Sequence, residues 1–246
     1  IEYKYIDWDV YRCTECLHSF SCNINKSIEE IYDKKYFDRN WFKYPNLNLF
    51  KQIEKQIRNS FGKNAKIYDL GCGNGNFLQF ANESGYVNLS GSDLFSSLKQ
   101  EISEKVKFEH KGFESVNKET KYDFVISISN IGHISDVEKY MQTLYSLLIP
   151  GGIAAIYTIN ENALIYKVSR LLRKFGIIFA SKQLYDPHQF NFFSTKSLKK
   201  LVKKNDFNYL NLSTSNFPLK STDIFVDSCI LKMIVYLGIW SINLLS

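Results

Sequence analysis

One stretch decides the fold of this chain: Lys66-Ile67-Tyr68-Asp69-Leu70-Gly71-Cys72-Gly73-Asn74-Gly75-Asn76-Phe77. An apolar run ends in an acid, three glycines follow at alternate positions, and a helical pattern begins after them. This order predicts a strand, a tight turn and a helix N-terminus. Glycine has no Cβ and tolerates positive φ, so such a turn lets the backbone approach a ligand closely. The N–H groups at the helix start favour an anionic group.

The spacing of these glycines argues against two common nucleotide motifs. It is G-x-G-x-G, whereas the dinucleotide motif G-x-G-x-x-G needs a glycine where Asn76 stands. A phosphate-binding P-loop needs a lysine followed by serine or threonine, and no lysine follows in register. On the glycines alone, an ordinary strand-to-helix turn without a ligand remains an alternative.

A second acid follows where a ribose-binding carboxylate is expected. The segment Asn88-Leu89-Ser90-Gly91-Ser92-Asp93-Leu94 predicts a short strand that ends in Asp93. In nucleotide-binding α/β folds, the ribose meets an acid about 20 residues after the glycine turn. Asp93 could instead act as a helix N-cap for the next segment. Together with the glycine turn, its position favours ribose binding.

Strands and helices alternate through the middle of the chain. This rhythm predicts an α/β fold with a doubly wound, Rossmann-like parallel sheet. The fourth strand is apolar enough to be buried on both faces. Strands are predicted over residues 66–70, 88–93, 106–110, 122–129 and 153–159, and helices over 75–84, 95–104 and 136–148.

The pattern changes after residue 160. Residues 163–175 form a basic amphipathic helix that could pack on the domain or lie on a membrane surface. A helix capped by Ser194 and a strand over 207–212 are predicted next. Residues 224–245 are largely apolar but fall short of a clean span of about 20 apolar residues. We interpret them as a core-packing or interfacial helix, or as the start of a longer hydrophobic segment.

The amino-terminal segment is rich in cysteine and aromatic residues. Cys13, Cys16, His18 and Cys22 could supply the four ligands of a tetrahedral zinc site. The alternative is a remnant knuckle with free thiols. The predicted organisation is a knuckle-like segment over 1–25, a helical cap over 26–60, the core over 61–160, a substrate-side insertion over 161–195 and a C-terminal helix, strand and tail over 196–246.

Composition limits the class of protein. The chain has 246 residues, a net charge of +6 and five cysteines. An odd cysteine count argues against a disulfide framework, and no signal peptide is visible, so we expect a cytoplasmic protein. The scattered lysines suggest an anionic or membrane-surface partner, or simply a solvated surface. The chain starts without methionine and stops in an apolar stretch, which suggests trimmed ends.

Together these motifs resemble class I S-adenosylmethionine (SAM)-dependent methyltransferases. The resemblance covers about residues 10–215 and is closest to the group with ubiquinone-biosynthesis O-methyltransferases and bacterial sugar or glycan methyltransferases. It rests on Tyr68–Gly75, on Tyr122–Ser127, on the Leu-Leu-x-Pro-Gly-Gly turn at 147–152, on His188–Ser194, and on Cys13-Thr14-Glu15-Cys16 with Tyr36-Phe37.

The resemblance implies SAM as cofactor, with Asp69 suited to the ammonium group of its methionine end. Three departures stand out. Gly132-His133 replaces Glu-His, and the usual last antiparallel strand is not evident. Gly112 and Phe113 replace an acid that commonly meets the adenine. The implied cofactor residues are Asp69, Gly71, Cys72, Gly73, Gly75, Asp93, Leu94, Gly112, Phe113, Ser129 and Asn130, with Tyr36 as a cover from the N-terminal helices.

Methyl transfer to a hydroxyl needs a base, and a histidine titrates near neutral pH. His133, just after the fourth strand, is the first candidate, and His188 is the second. Ser129-Asn130-Ile131-Gly132 replaces the N-P-P-Y motif, which counts against nucleic-acid bases as acceptors. We expect a small-molecule hydroxyl, of a sugar or glycan intermediate. The alternatives are a quinone-like aromatic acceptor, or a non-catalytic SAM-fold binding module.

Overall fold

The computed structural model describes residues 3–4, 8–22, 43–95, 98–186 and 188–214. Tyr36, the predicted helical cap up to residue 42 and the apolar tail at 224–245 therefore lie outside the described residues. The chain divides into two units, which are described separately below. The predicted five-part organisation stays a prediction.

The first unit, the parallel-sheet unit, comprises Pro45–Thr158 and Val202–Phe207. The second, the antiparallel-sheet unit, is drawn from Ile1–Tyr44, Ile159–Leu201 and Asn208–Ser246. The described strands are β1 (Tyr3–Lys4), β2 (Asp9–Arg12), β3 (Ser19–Cys22), β4 (Ile67–Leu70), β5 (Leu89–Ser92), β6 (Lys107–Glu109), β7 (Tyr122–Ile128), β8 (Leu148–Tyr157) and β9 (Asn191–Phe192). The described α-helices are α1 (Leu47–Phe61), α2 (Asn76–Glu83), α3 (Val137–Leu147), α4 (Leu164–Lys174), α5 (Phe179–Leu184) and α6 (Thr195–Lys204). Short 3₁₀-helices cover Gln100–Ile102 and Ile131–His133.

Five parallel strands form the sheet of the first unit, in the order β6-β5-β4-β7-β8. All four residues of β4 are buried, as expected for a central strand that is covered on both faces. The strand order reverses between β4 and β7, and ligands bind at the carboxyl ends of strands at such a point. This confirms the predicted doubly wound, Rossmann-like fold.

Helix α1 closes one side of the core of this unit. Asn46 caps it, since its Oδ1 accepts a hydrogen bond from the Leu49 N–H at 3.1 Å. Phe50, Ile53 and Ile57 then follow at helical spacing and are all buried. They join one apolar cluster with residues of α2 and of strands β4, β5 and β7. The described part of the predicted 26–60 segment thus includes one helix, which packs on the core of this unit.

Strand β8 begins five residues before the predicted start of the fifth strand at residue 153. It starts at Leu148, directly after α3, and Leu148 pairs with Tyr122. The next pair in register is Phe124 with Ile153, so the residues between them bulge out of the ladder. Gly151 has a φ of +81°, which allows the bulge at no steric cost.

Two predicted elements of the sequence are wrong. A helix was predicted over 95–104, but the described residues of this range contain only the short 3₁₀-helix Gln100–Ile102. The Lys99 N–H donates to the carbonyl of Asn74, so it does not donate to a preceding helical turn. Residues 207–212 form no strand: Tyr209 is 45% and Leu210 is 69% exposed, so these side chains face no sheet. In the described part of the chain, no helix is long and apolar enough to cross a membrane.

The second unit contains an antiparallel sheet that the sequence did not predict. Its strand order is β1-β2-β3-β9. Strands β2 and β3 form a hairpin, and β9 joins it through pairing of Ser19 with Phe192. Beneath it lies a small apolar core that includes Trp8, Tyr166 and Tyr185. Helix α6 begins at the predicted cap, since Ser194 Oγ accepts the Ser197 N–H at 2.9 Å.

A buried carboxylate connects the elements of this second unit. The Oε1 atom of Glu161 accepts hydrogen bonds from Ser19 Oγ and Tyr185 Oη, each at 2.7 Å. The Arg170 guanidinium lies 3.2 Å from the same oxygen, and Arg12 Nε lies 3.4 Å from Oε2. Burial raises the pKa of Glu161, and these four partners oppose that rise. The charge is thus paired, as a buried charge must be.

Candidate active site

The glycine turn has the geometry that its sequence predicted. It joins β4 to α2, and Gly71, Gly73 and Gly75 have φ values of +78°, +55° and +81°. The backbone N–H groups of Gly71 and Cys72 both donate to the carbonyl of Ser92, at 2.8 and 3.0 Å. The turn is therefore held against the end of β5, with its backbone at the carboxyl edge of the sheet.

Asp93 stands at the end of β5 and reaches the same turn. One carboxylate oxygen accepts the Gly73 N–H at 2.9 Å, and the other accepts the Phe95 N–H at 2.9 Å. The second bond closes a local turn in place of the helix N-cap considered as an alternative. Each oxygen of a carboxylate can accept more than one hydrogen bond.

Asp69 is the buried acid of the site. It is the third residue of β4 and is only 2% exposed. Within the described residues its Oδ1 atom has no hydrogen-bond partner. Burial, and to a lesser degree the charge of Asp93, raise the pKa of Asp69 to about 8. A buried carboxyl with an open oxygen is suited to receive a cationic group.

An amide and a phenol connect the ends of β4 and β7. The Asn130 side-chain amide donates to the Leu70 carbonyl at 3.0 Å and to Tyr140 Oη at 3.0 Å. Tyr140 Oη in turn donates to Ser127 Oγ at 2.8 Å. A Cβ placed on Gly71 would lie only 2.1 Å from Asn130 Nδ2. Gly71 is therefore required by the close approach of Asn130 as well as by its positive φ.

The loop after β6 brings apolar groups to the same edge. The Phe113 ring packs edge-on against Tyr140, with ring centroids 5.2 Å apart. The Leu94 side chain lies 3.7 Å from where a Cβ on Gly112 would stand. Leu94 is 47% and Phe95 is 37% exposed. Of these residues, Leu94, Gly112 and Phe113 are predicted cofactor residues, and the structure brings Leu94 beside Gly112.

His133 lies on this edge of the sheet too. It ends the 3₁₀-helix that follows β7, and its backbone N–H donates to the Asn130 carbonyl at 2.8 Å. Ser129, just before that helix, is exposed and has a φ of +56°, which is unusual for a residue with a Cβ. Ser129 precedes Asn130 in the chain and His133 donates to its carbonyl, and the Asn130 side chain approaches Gly71.

The second histidine candidate belongs to the other unit. The His188 backbone N–H donates to Asp186 Oδ1 at 2.8 Å, and its Nδ1 contacts the same oxygen. An imidazole oriented by a carboxylate can act as a base. The structure thus provides a local partner for His188 and leaves its role as a prediction.

The predicted zinc ligands are not brought together. Cys13 and Cys16 lie in the hairpin turn, but Cys22 pairs with Asp9 at the far end of β3, roughly 10 Å along the strand. His18 Nε2 is engaged by Asn191 Oδ1 at 3.0 Å, and burial lowers the pKa of His18. Across the residues described above, no group of three or more His, Cys, Asp or Glu could hold a metal ion. The zinc prediction for these four residues stays a prediction.

Comparison with known proteins decides the family. A family model described as a methyltransferase domain matches residues 42–212, which is more than half of the chain. The chain belongs to this methyltransferase family. With the parallel sheet and glycine turn described above, it is a class I SAM-dependent methyltransferase fold, as the resemblance implied.

The curated relatives of this methyltransferase domain include ubiquinone biosynthesis O-methyltransferases. The chain is similar to the ubiquinone biosynthesis O-methyltransferase of Rickettsia bellii, 26% identical over 132 residues that cover 51% of this chain and 55% of that protein. It is similar to the mitochondrial ubiquinone biosynthesis O-methyltransferase of Homo sapiens, 25% identical over 55% of this chain and 38% of that protein. The chain spans about half the length of the curated relatives it matches.

Solved structures support the fold. A SAM-dependent methyltransferase from Archaeoglobus fulgidus matches with a TM-score of 0.56 and 16% identity, over 86% of this chain and 93% of that one. The 1,6-didemethyltoxoflavin-N1-methyltransferase of Burkholderia thailandensis, solved with S-adenosylhomocysteine, matches with a TM-score of 0.53 and 14% identity, over 82% and 88%. At such identities the likeness concerns the fold of the methyltransferase domain only.

Sequence reasoning missed two residues that support the site. Tyr140 lies in the predicted helix over 136–148 and Ser127 in the predicted buried strand over 122–129, and neither is predicted as a site residue. Both are fully buried, and their hydroxyl groups bond to each other. A buried tyrosine usually needs a partner for its hydroxyl group, and this is the signal that could have drawn attention to it. Burial raises the pKa of Tyr140, so its hydroxyl stays protonated as a donor.

We expect Gly71→Ala to lower the free energy of unfolding more than Gly85→Ala. Both positions have positive φ, so both variants lose about 1–2 kcal/mol. A Cβ at Gly85 meets nothing within 4 Å, whereas a Cβ at Gly71 displaces Asn130 from its hydrogen bonds. The extra cost is about 1–3 kcal/mol. Urea unfolding measures it, and equal destabilisation of both variants would contradict the packing described for Asn130.

Asp69 should make the stability of the cofactor-free protein depend on pH. Its pKa is raised to about 8 in the folded protein, whereas an unfolded aspartate titrates near about 3.9. The stabilisation from the protonated form is complete below the lower value and is lost as pH rises to the higher one. Asp69→Asn removes this dependence. The free energy of unfolding of Asp69→Asn, relative to that of the natural protein, should therefore rise with pH between these two pKa values. A difference in unfolding midpoints that does not change with pH would refute the raised pKa of Asp69.

Proposed function

We propose that this protein is an enzyme that transfers a methyl group from SAM to a hydroxyl of a small molecule. The observation that carries the proposal is a buried Asp69 oxygen, without a hydrogen-bond partner in the described part of the chain, beside a glycine turn at a sheet switch point. Such an oxygen is suited to the ammonium group of SAM, and the turn leaves backbone close to the ligand. The methyltransferase family membership supports the same cofactor.

The proposed cofactor residues divide by the part of SAM that they would meet. Asp69 and the turn residues Gly71, Cys72, Gly73 and Gly75 would hold the methionine end. The Asp93 carboxylate would accept hydrogen bonds from the ribose hydroxyls. Leu94, Gly112 and Phe113 would meet the adenine, because their apolar surface is partly open. Ser129 and Asn130 would border the methionine end, and Tyr36 lies outside the described residues.

The chemistry of the step requires little of the protein beyond alignment and proton removal. SAM supplies an activated methyl group on a sulfonium when it is bound. His133 would accept the proton of the acceptor hydroxyl, since it lies on the ligand edge and imidazole titrates near neutral pH. Asn130 would keep His133 in position, because its carbonyl accepts the His133 N–H at 2.8 Å.

The acceptor class is proposed from the relatives. Both curated relatives named above are ubiquinone biosynthesis O-methyltransferases, which favours the phenolic hydroxyl of a quinone-like aromatic compound. The sugar or glycan acceptor expected from the sequence stays a prediction. Residues 161–195 are proposed as the acceptor-side segment, with His188 as the second candidate base.

Asp93→Ala should weaken SAM binding by about 100-fold or more, because hydrogen bonds to a charged group contribute about 1.5–3 kcal/mol each. The measurement is isothermal titration calorimetry on the full chain. Asp123→Ala is a matched control: Asp123 Oδ2 also accepts a backbone N–H, that of Lys66 at 2.7 Å, but at the amino end of β7. If the two variants bind SAM equally well, Asp93 does not hold the ribose.

His133→Ala should reduce the rate of methyl transfer by about 100-fold to 10,000-fold, the usual effect of a general base, and should leave SAM affinity unchanged. Turnover is followed as S-adenosylhomocysteine formed with a catechol-type acceptor. The comparison variant is His188→Ala. If His133→Ala keeps its turnover and His188→Ala loses it, the base is His188 and not His133.

A second candidate function is a non-catalytic SAM-fold binding module. The observation in its favour is that Gly132-His133 replaces the family's usual Glu-His at the catalytic edge. The turnover assay separates the two functions. Formation of S-adenosylhomocysteine that depends on an acceptor excludes the module, whereas tight SAM binding with no turnover on phenolic or sugar acceptors favours it.

A further inference from the structure

Arg12 is a largely buried guanidinium for which the described part of the chain holds an ion pair but no hydrogen bond. Its side chain is only 19% exposed, and its Nε lies 3.4 Å from Glu161 Oε2 without a hydrogen bond between them. A guanidinium carries five N–H donors, and buried donors are normally paired. Arg170 and Arg173 of the same unit follow this rule, since both donate to protein oxygens. The donors of Arg12 are therefore left for an acceptor that a ligand supplies.

The carboxylate that pairs with Arg12 already has closer partners. Glu161 Oε1 accepts hydrogen bonds from Ser19 Oγ and Tyr185 Oη at 2.7 Å, and the Arg170 guanidinium lies 3.2 Å from the same oxygen. Two guanidinium groups and one carboxylate leave one positive charge in this largely buried group. Because an unbalanced charge is costly in a protein interior, the group favours an additional anion.

A second polar side chain stands on the same face of the hairpin. In the ladder of β2 and β3, Arg12 is paired with Ser19, and Ser21 lies two residues further along β3 on the same face. Ser21 is 6% exposed, and its buried Oγ has no hydrogen-bond partner among the described residues. Ser21 is the diagonal neighbour of Arg12, at a backbone spacing of about 7–8 Å that a long side chain can bridge. Arg12 and Ser21 thus offer donors on one side of the sheet.

An oxyanion matches this pair of groups. The planar fork of a guanidinium fits a carboxylate or a phosphate through two parallel hydrogen bonds, and a hydroxyl adds a further donor. A neutral acceptor would satisfy the donors but would leave the positive charge unbalanced. Because 19% of the Arg12 side chain is exposed, a small molecule can reach it from solvent.

We propose that Arg12 and Ser21 bind the carboxylate or phosphate group of a small molecule. The ion pair with Glu161 would hold the guanidinium by its Nε edge, and the two terminal nitrogens of Arg12 would donate to the ligand. The Ser21 hydroxyl would donate to a further oxygen of the same group. The inference is independent of methyl transfer, since it rests on the antiparallel-sheet unit alone. The competing role of Arg12 is only to neutralise Glu161, and it requires no ligand.

The test is isothermal titration calorimetry of the full chain without SAM, in a buffer free of phosphate and carboxylate. The probes are phenyl phosphate, benzoate and benzamide, the last being an uncharged analogue of benzoate. We expect at least one of the two anions to bind and benzamide not to bind. Binding of phenyl phosphate alone identifies a phosphate site, and binding of benzoate alone identifies a carboxylate site.

Variants of the two residues assign the binding to this face of the hairpin. Arg12→Gln removes the charge and the fork, and it should weaken anion binding at least about tenfold. Arg12→Lys keeps the charge and loses the fork, and it should weaken binding about fivefold. Ser21→Ala leaves the ion pair of Arg12 in place and should weaken binding about threefold, since it removes one hydrogen bond.

Arg58→Gln is the matched control. It removes an arginine that also pairs with a glutamate, Glu54 at 3.8 Å, but on α1 of the other unit. It should leave anion binding unchanged. Circular dichroism confirms that each variant is folded, and if Arg12→Gln does not fold, Arg12→Lys and Ser21→Ala decide the result.

Four results would overturn the proposal. Neither anion binds the natural protein, or benzamide binds as tightly as benzoate. The folded Arg12 and Ser21 variants bind the anions as tightly as the natural protein does. Arg58→Gln weakens binding as much as the Arg12 variants do, which would show a general effect of charge.

Discussion

The parallel pairing of β4 with β5 and β7 is the constraint on which the site depends. The register pairs Leu70 with Ser92, so the turn after β4 can donate to the Ser92 carbonyl and Asp93 can reach Gly73. The same central position buries Asp69 from both sides. A carboxyl placed there must either keep its proton or receive a cation, because a bare charge in an apolar interior is costly.

Much of the parallel-sheet unit could be predicted from the sequence, because its signals are local. The glycines at 71, 73 and 75 require positive φ, and an acid ends the next strand at Asp93. What could not be predicted depends on contacts between distant residues. The approach of Asn130 to Gly71 and the bond between Tyr140 and Ser127 leave no periodic mark in the sequence.

The antiparallel sheet could not be predicted from the sequence for a different reason. Its strands have two to four residues, too few for a reliable alternation, and β9 joins β3 from about 170 positions away. The cysteines suggested a metal site in this unit, but the group that connects its elements is the buried Glu161 carboxylate. Buried ion pairs contribute little net stability, but they can select one arrangement among alternatives. Arg12, Ser19, Arg170 and Tyr185 all converge on that carboxylate.

In the proposed site, Asp69 receives the cationic end of SAM. Calorimetric titration of SAM near about pH 7 in phosphate and in Tris tests it most directly, because the two buffers differ in ionisation enthalpy. Asp69, with a pKa raised to about 8, is mainly protonated before binding and should lose that proton beside an ammonium group. We predict a buffer-dependent enthalpy that corresponds to release of roughly one proton per SAM bound. Binding with the same enthalpy in both buffers, or no binding, would rule out this role of Asp69.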